Sequence, residues 1–274
     1  MKHRRVVGLV VPPAELAVRD SLRYGRAHGL SSRPRDWPYG YLRGMGFGLH
    51  LVPDDVTLDG LVIDVGANRG DFTAAVRRLE PRSRVLAIEP LPGERARLHE
   101  RFAGDPNVTI DGRALSDEAG EATLEVADWS VFSSLRPAHP DVMAMYPPGT
   151  EVTDHVPVAT ARLDDLVDEP VRILKIDVQG HELPVLRAAT NTLTRTDAVL
   201  LEVTFVSHYE GDASFFQLDR FMGDAGFELF ALGPPDNHQG RSMWADACYV
   251  RPDRRTPCPR TGNGQRTSPA TSRR

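Results

Sequence analysis

The residues able to do chemistry on a bound small molecule fall into three groups. The first is the turn in "LVIDVGANRGDF", where Asp64 is followed by Gly66, Asn68 and Gly70. Glycine lets a backbone approach a ligand closely, and a helix beginning at such a turn offers free N–H groups. The second is Glu89 at the end of "VLAIE", nineteen positions after Gly70, where one carboxylate can accept both hydroxyl protons of a ribose. The third comprises Asp177, His181 and Glu182 after "VRILKI", together with Glu202 inside "AVLLEVTF". A glycine turn with a distal acid describes an adenosine-type cofactor site. The spacing is DxGxxxG rather than the GxGxxG of dinucleotide folds, and an acid at the ribose disfavours NADP.

These groups need a frame that gathers strand ends. Short apolar runs at Leu61 to Val65, Val85 to Ile88 and Val108 to Ile110 read as strands, with helical patterns at Asp71 to Leu79 and Gly93 to Phe102 between them. "GEATLEVAD" alternates like an added strand, and Arg162 to Val167 reads as a short helix. The series continues with "VRILKIDV", a helix from His181 to Ala189, "AVLLEVTF", a helix from Phe215 to Ala225, and the closing strands "FELFAL" and "ADACYV". Upstream, Ala14 to His28 can form a helix, and a Gly-, Pro- and aromatic-rich loop runs from Ser31 to Gly48. The alternation predicts a doubly wound α/β sheet, mostly parallel. The two closing strands, with no helix between them, predict an antiparallel return at one edge. In such a sheet ligands lie beyond the carboxyl ends of the strands.

Composition narrows the class. With 274 residues, 41% apolar and 26% charged, the chain can bury a full core. The early apolar run Val6 to Val11 is too short for a membrane span or a signal h-region, so a cytoplasmic protein with no membrane partner is expected. Residues 251–274 hold seven arginines and one aspartate, which leaves the preceding 250 residues at −11 of the net −5. An acidic body is poorly matched to a phosphate backbone, and no nucleic-acid partner is expected. The tail is Pro-, Gly-, Ser- and Thr-rich with almost nothing to bury, the composition of a disordered terminus. Cys248 and Cys258 stand ten apart without a CxxC or Cys/His cluster, which predicts neither disulfide framework nor structural zinc.

The paired glycines with Asp64 resemble motif I of class I S-adenosylmethionine-dependent methyltransferases. "VIDVGANRGDF", "AIEPLP", "NVTIDGRALSDEAGEATLEV", "SSL", "RLDDL", "ILKIDVQGHELPVLRAA", "LLEVTF" and "ADACYV" occur in the order and spacing that resemble the FkbM family, over about residues 50–252. The resemblance implies a class I methyltransferase fold with a seven-stranded sheet and S-adenosyl-L-methionine as donor. It also implies O-methylation of hydroxyls on sugars or on secondary metabolites such as macrolides. By motif, Asp64, Gly66, Asn68 and Gly70 would hold the methionine part, Glu89 the ribose, and Ala114 and Leu115 in "RALSD" the adenine region. Residues 1–54 would be an extension, 55–252 the methyltransferase domain and 253–274 the tail. The family commonly has Glu-Gly where this chain has Gln179-Gly180, so no acidic role passes to position 179. The competing reading is a nucleotide-binding module that kept the turn and lost its chemistry.

A sulfonium methyl moves by in-line displacement, and an alcohol is a weak nucleophile at neutral pH, so a base near its proton is useful. N-methyltransferases acting on nucleobase amines typically carry (D/N)PPY after the fourth strand; this chain has Asp177-Val178-Gln179-Gly180, which argues against an exocyclic-amine substrate, and the resemblance implies a small-molecule hydroxyl instead. Asp177 is a candidate base or a helix N-cap. His181 suits by intrinsic pKa or is a packing residue. Glu182 is a candidate that the helix dipole would favour in any case. Glu202 must find a partner if buried, either in a site or in an ion pair. Asp177 and Glu202 alone do not make a metal site, and none is expected. His208, Tyr209 and Glu210 in "SHYEGD", and the aromatics of "DWSVFSSLRP", lie where an acceptor would be met. The Pro-rich Ala138 to Val156 reads as a variable lid.

Overall fold

The run Leu61–Val65 (β1) is buried at all five positions because it lies between two parallel partners, the setting in which strands read as continuous apolar runs. The computed structural model describes residues 48–146 and 148–254. After β1 come α1 (Asp71–Leu79), β2 (Arg84–Ile88), α2 (Pro92–Arg101), β3 (Val108–Asp111), β4 (Ala114–Leu115) and β5 (Gly120–Ala127). Then follow α3 (Pro140–Met143), β6 (Val152–Ala161), β7 (Val171–Ile176), α4 (Glu182–Arg187) and α5 (Thr190–Leu193). The chain closes with β8 (Thr196–Thr204), α6 (Phe215–Asp224), β9 (Glu228–Leu232), β10 (Asp236–His238) and β11 (Arg241–Val250). The early helix, nearly all of the loop after it and the basic tail lie outside the described residues.

The central sheet has eight strands in the order β10-β11-β8-β7-β1-β2-β3, with β9 also on β11. β3, β2, β1, β7 and β8 are parallel, and β11 returns antiparallel to β8 and β9, as the closing pattern anticipated. The eighth strand, β10, follows from a turn at Gln239 (φ 51°) and Gly240 (φ 83°), the left-handed pair that joins hairpins tightly. Val62 and Ile173 face one layer, with Phe72, Val76, Leu49 and Leu200. Ile63, Leu174 and Ile176 face the other, with Val185, Leu186, Leu218 and Met222. Leu49, Leu51 and Val52 pack into the first layer, so the packed unit takes in residues ahead of position 55.

A second, three-stranded sheet, β4-β6-β5, sits apart from the first. Residues 152–156, expected in the lid, are strand: β6 pairs antiparallel with β5 from Gly120↔Thr160 to Ala127↔Val152. The lid is therefore shorter than its composition suggested. It leaves β5 and returns to β6 at neighbouring positions, with Asp128 N–H on Glu151 O and Trp129 N–H on Gly149 O continuing the ladder. α6 opens on a capping box, Ser214 with Gln217, which satisfies two otherwise unpaired donors. Among the described residues no helix is long and apolar enough to cross a membrane. Replacing Ser214 with Ala should cost about 1 kcal/mol in chemical denaturation; an unchanged midpoint would show that the box carries no weight.

Candidate functional site

The turn after β1 is shaped by the protein before any ligand is considered. Gly66 N–H and Ala67 N–H both donate to Ile88 O at 3.0 Å, and Gly70 N–H donates to Ala67 O at 2.8 Å. Gly66 (φ 72°), Asn68 (φ 47°) and Gly70 (φ 79°) are left-handed. A Cβ at Gly66 would stand 1.9 Å from the carbonyl oxygen of Asp177, and one at Gly70 would stand 2.6 Å from both Leu98 and Phe102. Close approach of the protein to itself, at the end of β7 and at α2, therefore already demands both glycines.

Asp64 is fully buried. Thr73 Oγ1 donates to its Oδ2 at 2.7 Å. Lys175, its register partner on β7, brings Nζ to 3.2 Å from Oδ1, an ion-pair distance without hydrogen-bond alignment. The same ammonium donates to Gly66 O at 2.9 Å and lies 3.7 Å from Asp177 Oδ2. Burial alone would lower the Lys175 pKa, but Asp64 and Asp177 outweigh it and lift it to about 12. The carboxylate expected against the methionine part is thus enclosed, and it braces the turn through Lys175.

Glu89 is 6% exposed. Its Oε2 accepts Asn68 N–H at 2.7 Å and its Oε1 accepts Leu91 N–H at 2.8 Å, so each oxygen retains lone-pair capacity. Burial pushes its carboxyl up to about 7, against the pull of those two N–H groups. Ala114 and Leu115 pair in parallel with Thr160 and Ala161 of β6. Both side chains are core: Leu115 packs in the cluster with Leu163 and Val167, and Ala114 in the cluster with Leu124 and Val158.

Beyond β7, an amide is the hub. Gln179 Nε2 donates to Asp177 Oδ1 at 3.0 Å and to Glu202 Oε1 at 3.1 Å. Tyr209 Oη donates to Gln179 Oε1 at 2.9 Å, and Ser134 Oγ donates to Gln179 O at 2.6 Å. Those ties hold a non-glycine residue at φ 53°, the kind of local strain that a surrounding network must support. Burial first, then the charges of Asp177, Glu182 and Asp246, push the Glu202 carboxyl well above the usual range. Asp246, the register partner of Glu202 on β11, is pushed up to about 6, chiefly by burial. The side chain of Asp177 is 27% exposed.

The other two candidates face elsewhere. Glu182 Oε1 accepts the N–H groups of Val178 and Gly180, both at 3.1 Å, so it folds back to cap the loop; burial raises its carboxyl to about 7. His181 Nε2 lies 3.0 Å from Ser116 Oγ, on the β4 side. Its Nδ1 is enclosed without a partner, and burial lowers its pKa to about 4. Asp177 and Glu202 are therefore the two predicted residues that the fold brings together. Lys175 and Gln179 were missed as functional residues; the signal for Lys175 is a single lysine inside the apolar strand "VRILKI". Among the described residues no group of three or more His, Cys, Asp or Glu is arranged to hold a metal. A surface cleft lined by Leu61, Arg84, Asn107 and Glu169 lies at the opposite, amino-terminal ends of the strands.

Two outcomes follow from the buried pair and the turn. Lys175→Met strands the Asp64 charge and should cost about 3–5 kcal/mol of unfolding free energy, with much of it recovered by adding Asp64→Asn. Failure of the second substitution to recover stability would remove the pair from its bracing role. Gly66→Ala should be among the most destabilising single changes in the chain, at more than about 3 kcal/mol; near-native stability would refute the steric account.

Comparisons with known proteins identify the family. Residues 64–229 match the family model described as "Methyltransferase FkbM domain". The 2-O-methyltransferase NoeI of Sinorhizobium fredii is 26% identical over 187 residues, covering 64% of this chain and 75% of its own. The hexuronic acid methyltransferase AglP of Haloferax volcanii is 27% identical over 172 residues, 61% of this chain and 65% of its own. Among solved structures, the methyltransferase FkbM from Methylobacillus flagellatus KT aligns at 15% identity with a TM-score of 0.49, over 88% of this chain and 56% of that one. This chain thus spans just over half of that protein and just under two thirds of AglP. The match to the family model takes in the glycine turn, β2 with Glu89 and the strands that carry Asp177 and Glu202, and the chain belongs to the FkbM methyltransferase family.

Proposed function

We propose that this chain is an S-adenosyl-L-methionine-dependent O-methyltransferase that acts on a hydroxyl of a small molecule, a sugar or a secondary metabolite such as a polyketide or glycoside. The observation that carries the reading is Glu89: a buried carboxylate at the end of β2, beside the Gly66–Gly70 turn, with lone-pair capacity left on both oxygens. That donor set fits the two hydroxyls of an unphosphorylated ribose. Gly66, Asn68 and Gly70 shape the floor of the cofactor site, Asp64 supports it through Lys175, and the backbone of Ala114 and Leu115 borders the adenine end. When bound, S-adenosyl-L-methionine supplies an electrophilic methyl on a sulfonium. The named activities of NoeI and AglP support an acceptor of sugar type.

Asp177 accepts a hydrogen bond from an acceptor hydroxyl, and Gln179 fixes it by holding Asp177 and Glu202 on one amide. Burial, and then its acidic neighbours, favour the neutral form of Glu202, which serves as a strut. Glu182 acts on the loop backbone, and His181 belongs to the seam with Ser116. The acidic body suits an uncharged acceptor better than a nucleic acid.

Calorimetry with S-adenosylhomocysteine should show Glu89→Ala weakening binding by about 10- to 100-fold, the value of hydrogen bonds to a charged group. Removal of residues 256–274 should change little. A ribose needs the carboxylate as acceptor, and the Glu89 carboxyl loses its proton near pH 7. Affinity should therefore rise between pH 6 and pH 8, and Glu89→Gln should flatten the rise. Equal binding by wild type and Glu89→Ala would reject the ribose assignment. Labelled methyl transfer onto glycosylated and deglycosylated metabolite pools identifies the acceptor. With that acceptor, Asp177→Asn should lower kcat/KM at least about tenfold while cofactor affinity stays within about twofold. Loss of cofactor binding would place Asp177 in the cofactor pocket instead.

A further inference from the structure

Tyr146, between β5 and β6, and His208, after β8, form a hydrogen-bonded pair that none of the roles above uses. His208 is buried, and its Nδ1 lies 2.6 Å from Val206 O. A carbonyl only accepts, so Nδ1 carries the ring proton and Nε2 presents a bare lone pair. Tyr146 Oη lies 2.7 Å from that Nε2; the phenol is therefore the donor, and with the Trp244 indole N–H donating to the same oxygen one lone pair stays open to a further hydroxyl. The backbone fixes the pair from both sides. His139 N–H donates to His208 O at 2.8 Å, and Asp212 Oδ2 accepts His208 N–H at 2.8 Å.

The pair adjoins the acceptor end. The Phe132 ring packs 5.5 Å from the Tyr146 ring. Tyr209 shares its single proton between Phe132 O at 3.2 Å and Gln179 Oε1 at 2.9 Å. Tyr146 therefore neighbours the same network as Asp177 and Glu202. On the function proposed above, we propose that Tyr146 takes the proton of the reacting acceptor hydroxyl while passing its own phenolic proton to His208 Nε2. The acceptor oxygen forms the new O–CH₃ bond, the electron pair of the S–CH₃ bond stays on sulfur, and the positive charge of the sulfonium reappears on the imidazolium. Tyr146 touches the reacting hydroxyl, while Asp177 holds a neighbouring hydroxyl of the acceptor; His208 acts through Tyr146 as a positioning residue.

The surrounding charges suit that order of events. Burial, and then the charge of Asp236, oppose a free phenolate at Tyr146, with the hydrogen bond from Trp244 pulling the other way, so its proton leaves as another arrives. Burial lowers the His208 pKa and keeps the ring neutral before reaction, while Asp212 and Asp236 favour the cation that forms and His139 opposes it.

The test uses the full chain. Nitrogen-15 NMR of the imidazoles, with His208 assigned by its disappearance in His208→Asn, should show the Nδ1–H tautomer and an Nε2 signal that moves in Tyr146→Phe. The opposite tautomer, or an unmoved signal, overturns the relay. With the acceptor found in the labelled screen, Tyr146→Phe and His208→Asn should each lower kcat by about 10² or more. KM and S-adenosylhomocysteine affinity should stay within about twofold, and the double variant should be no slower than the slower single. Additive losses, or single-variant rates within about threefold of wild type, would overturn it. If no acceptor takes the label, the function proposed above fails, and the tautomer measurement decides the relay by itself.

Discussion

The contact between Asp64 and Lys175 is the constraint on which the functional end of this fold depends. The two residues are register partners on β1 and β7, the adjacent strands from which the sheet continues in opposite directions. In open α/β sheets that gap is where ligands are held. Burying a cation there is costly unless it is well surrounded. Here the ammonium meets the Asp64 carboxylate, the carbonyl of Gly66 and, farther off, Asp177. One charge thereby ties α1, through Thr73 and Asp64, to the glycine turn and to the loop after β7. The proposed cofactor floor and acceptor rim are positioned from a common point.

That coupling changes the meaning of the glycines. Their spacing reads as room for a ligand, yet the atoms that would collide with a side chain are Asp177 O at Gly66, and Leu98 and Phe102 at Gly70. Tight packing of the turn against its own scaffold fixes the place of the buried Glu89 carboxylate beside it. A substitution at either glycine would displace the frame before it obstructed any ligand.

The parallel core was legible because buried strands leave unbroken apolar runs, as in "LVIDV" and "VRILKI". β6 was not, since only Val158, Thr160 and Ala161 among its ten residues are buried and Pro157 interrupts the pattern. Proline is tolerated there because β4 pairs only with Thr160 and Ala161, which leaves one edge of β6 free at that point. β10 is three residues long and is announced only by the Gln239-Gly240 turn. At the site, Glu89 and the turn could be found from spacing. The facing of Asp177, His181 and Glu182 could not, because consecutive left-handed residues at Gln179 and Gly180 send side chains of one short loop in different directions. An amide joining two acids likewise leaves no periodic signature.

The paired ends of the excursion between β5 and β6 have an evolutionary consequence. Ala127 and Val152 face each other in the small sheet, so the intervening segment is a closed detour whose entrance and exit are fixed independently of its content. Lengthening such a detour costs little, since closure entropy grows only logarithmically with length. The detour is tied to the site at two points, Ser134 to Gln179 O and Ser130 to Asn68, and the stretches between such ties can lengthen while the central sheet stays in place. Variation in this architecture is thereby channelled into one segment whose ends the small sheet has already fixed.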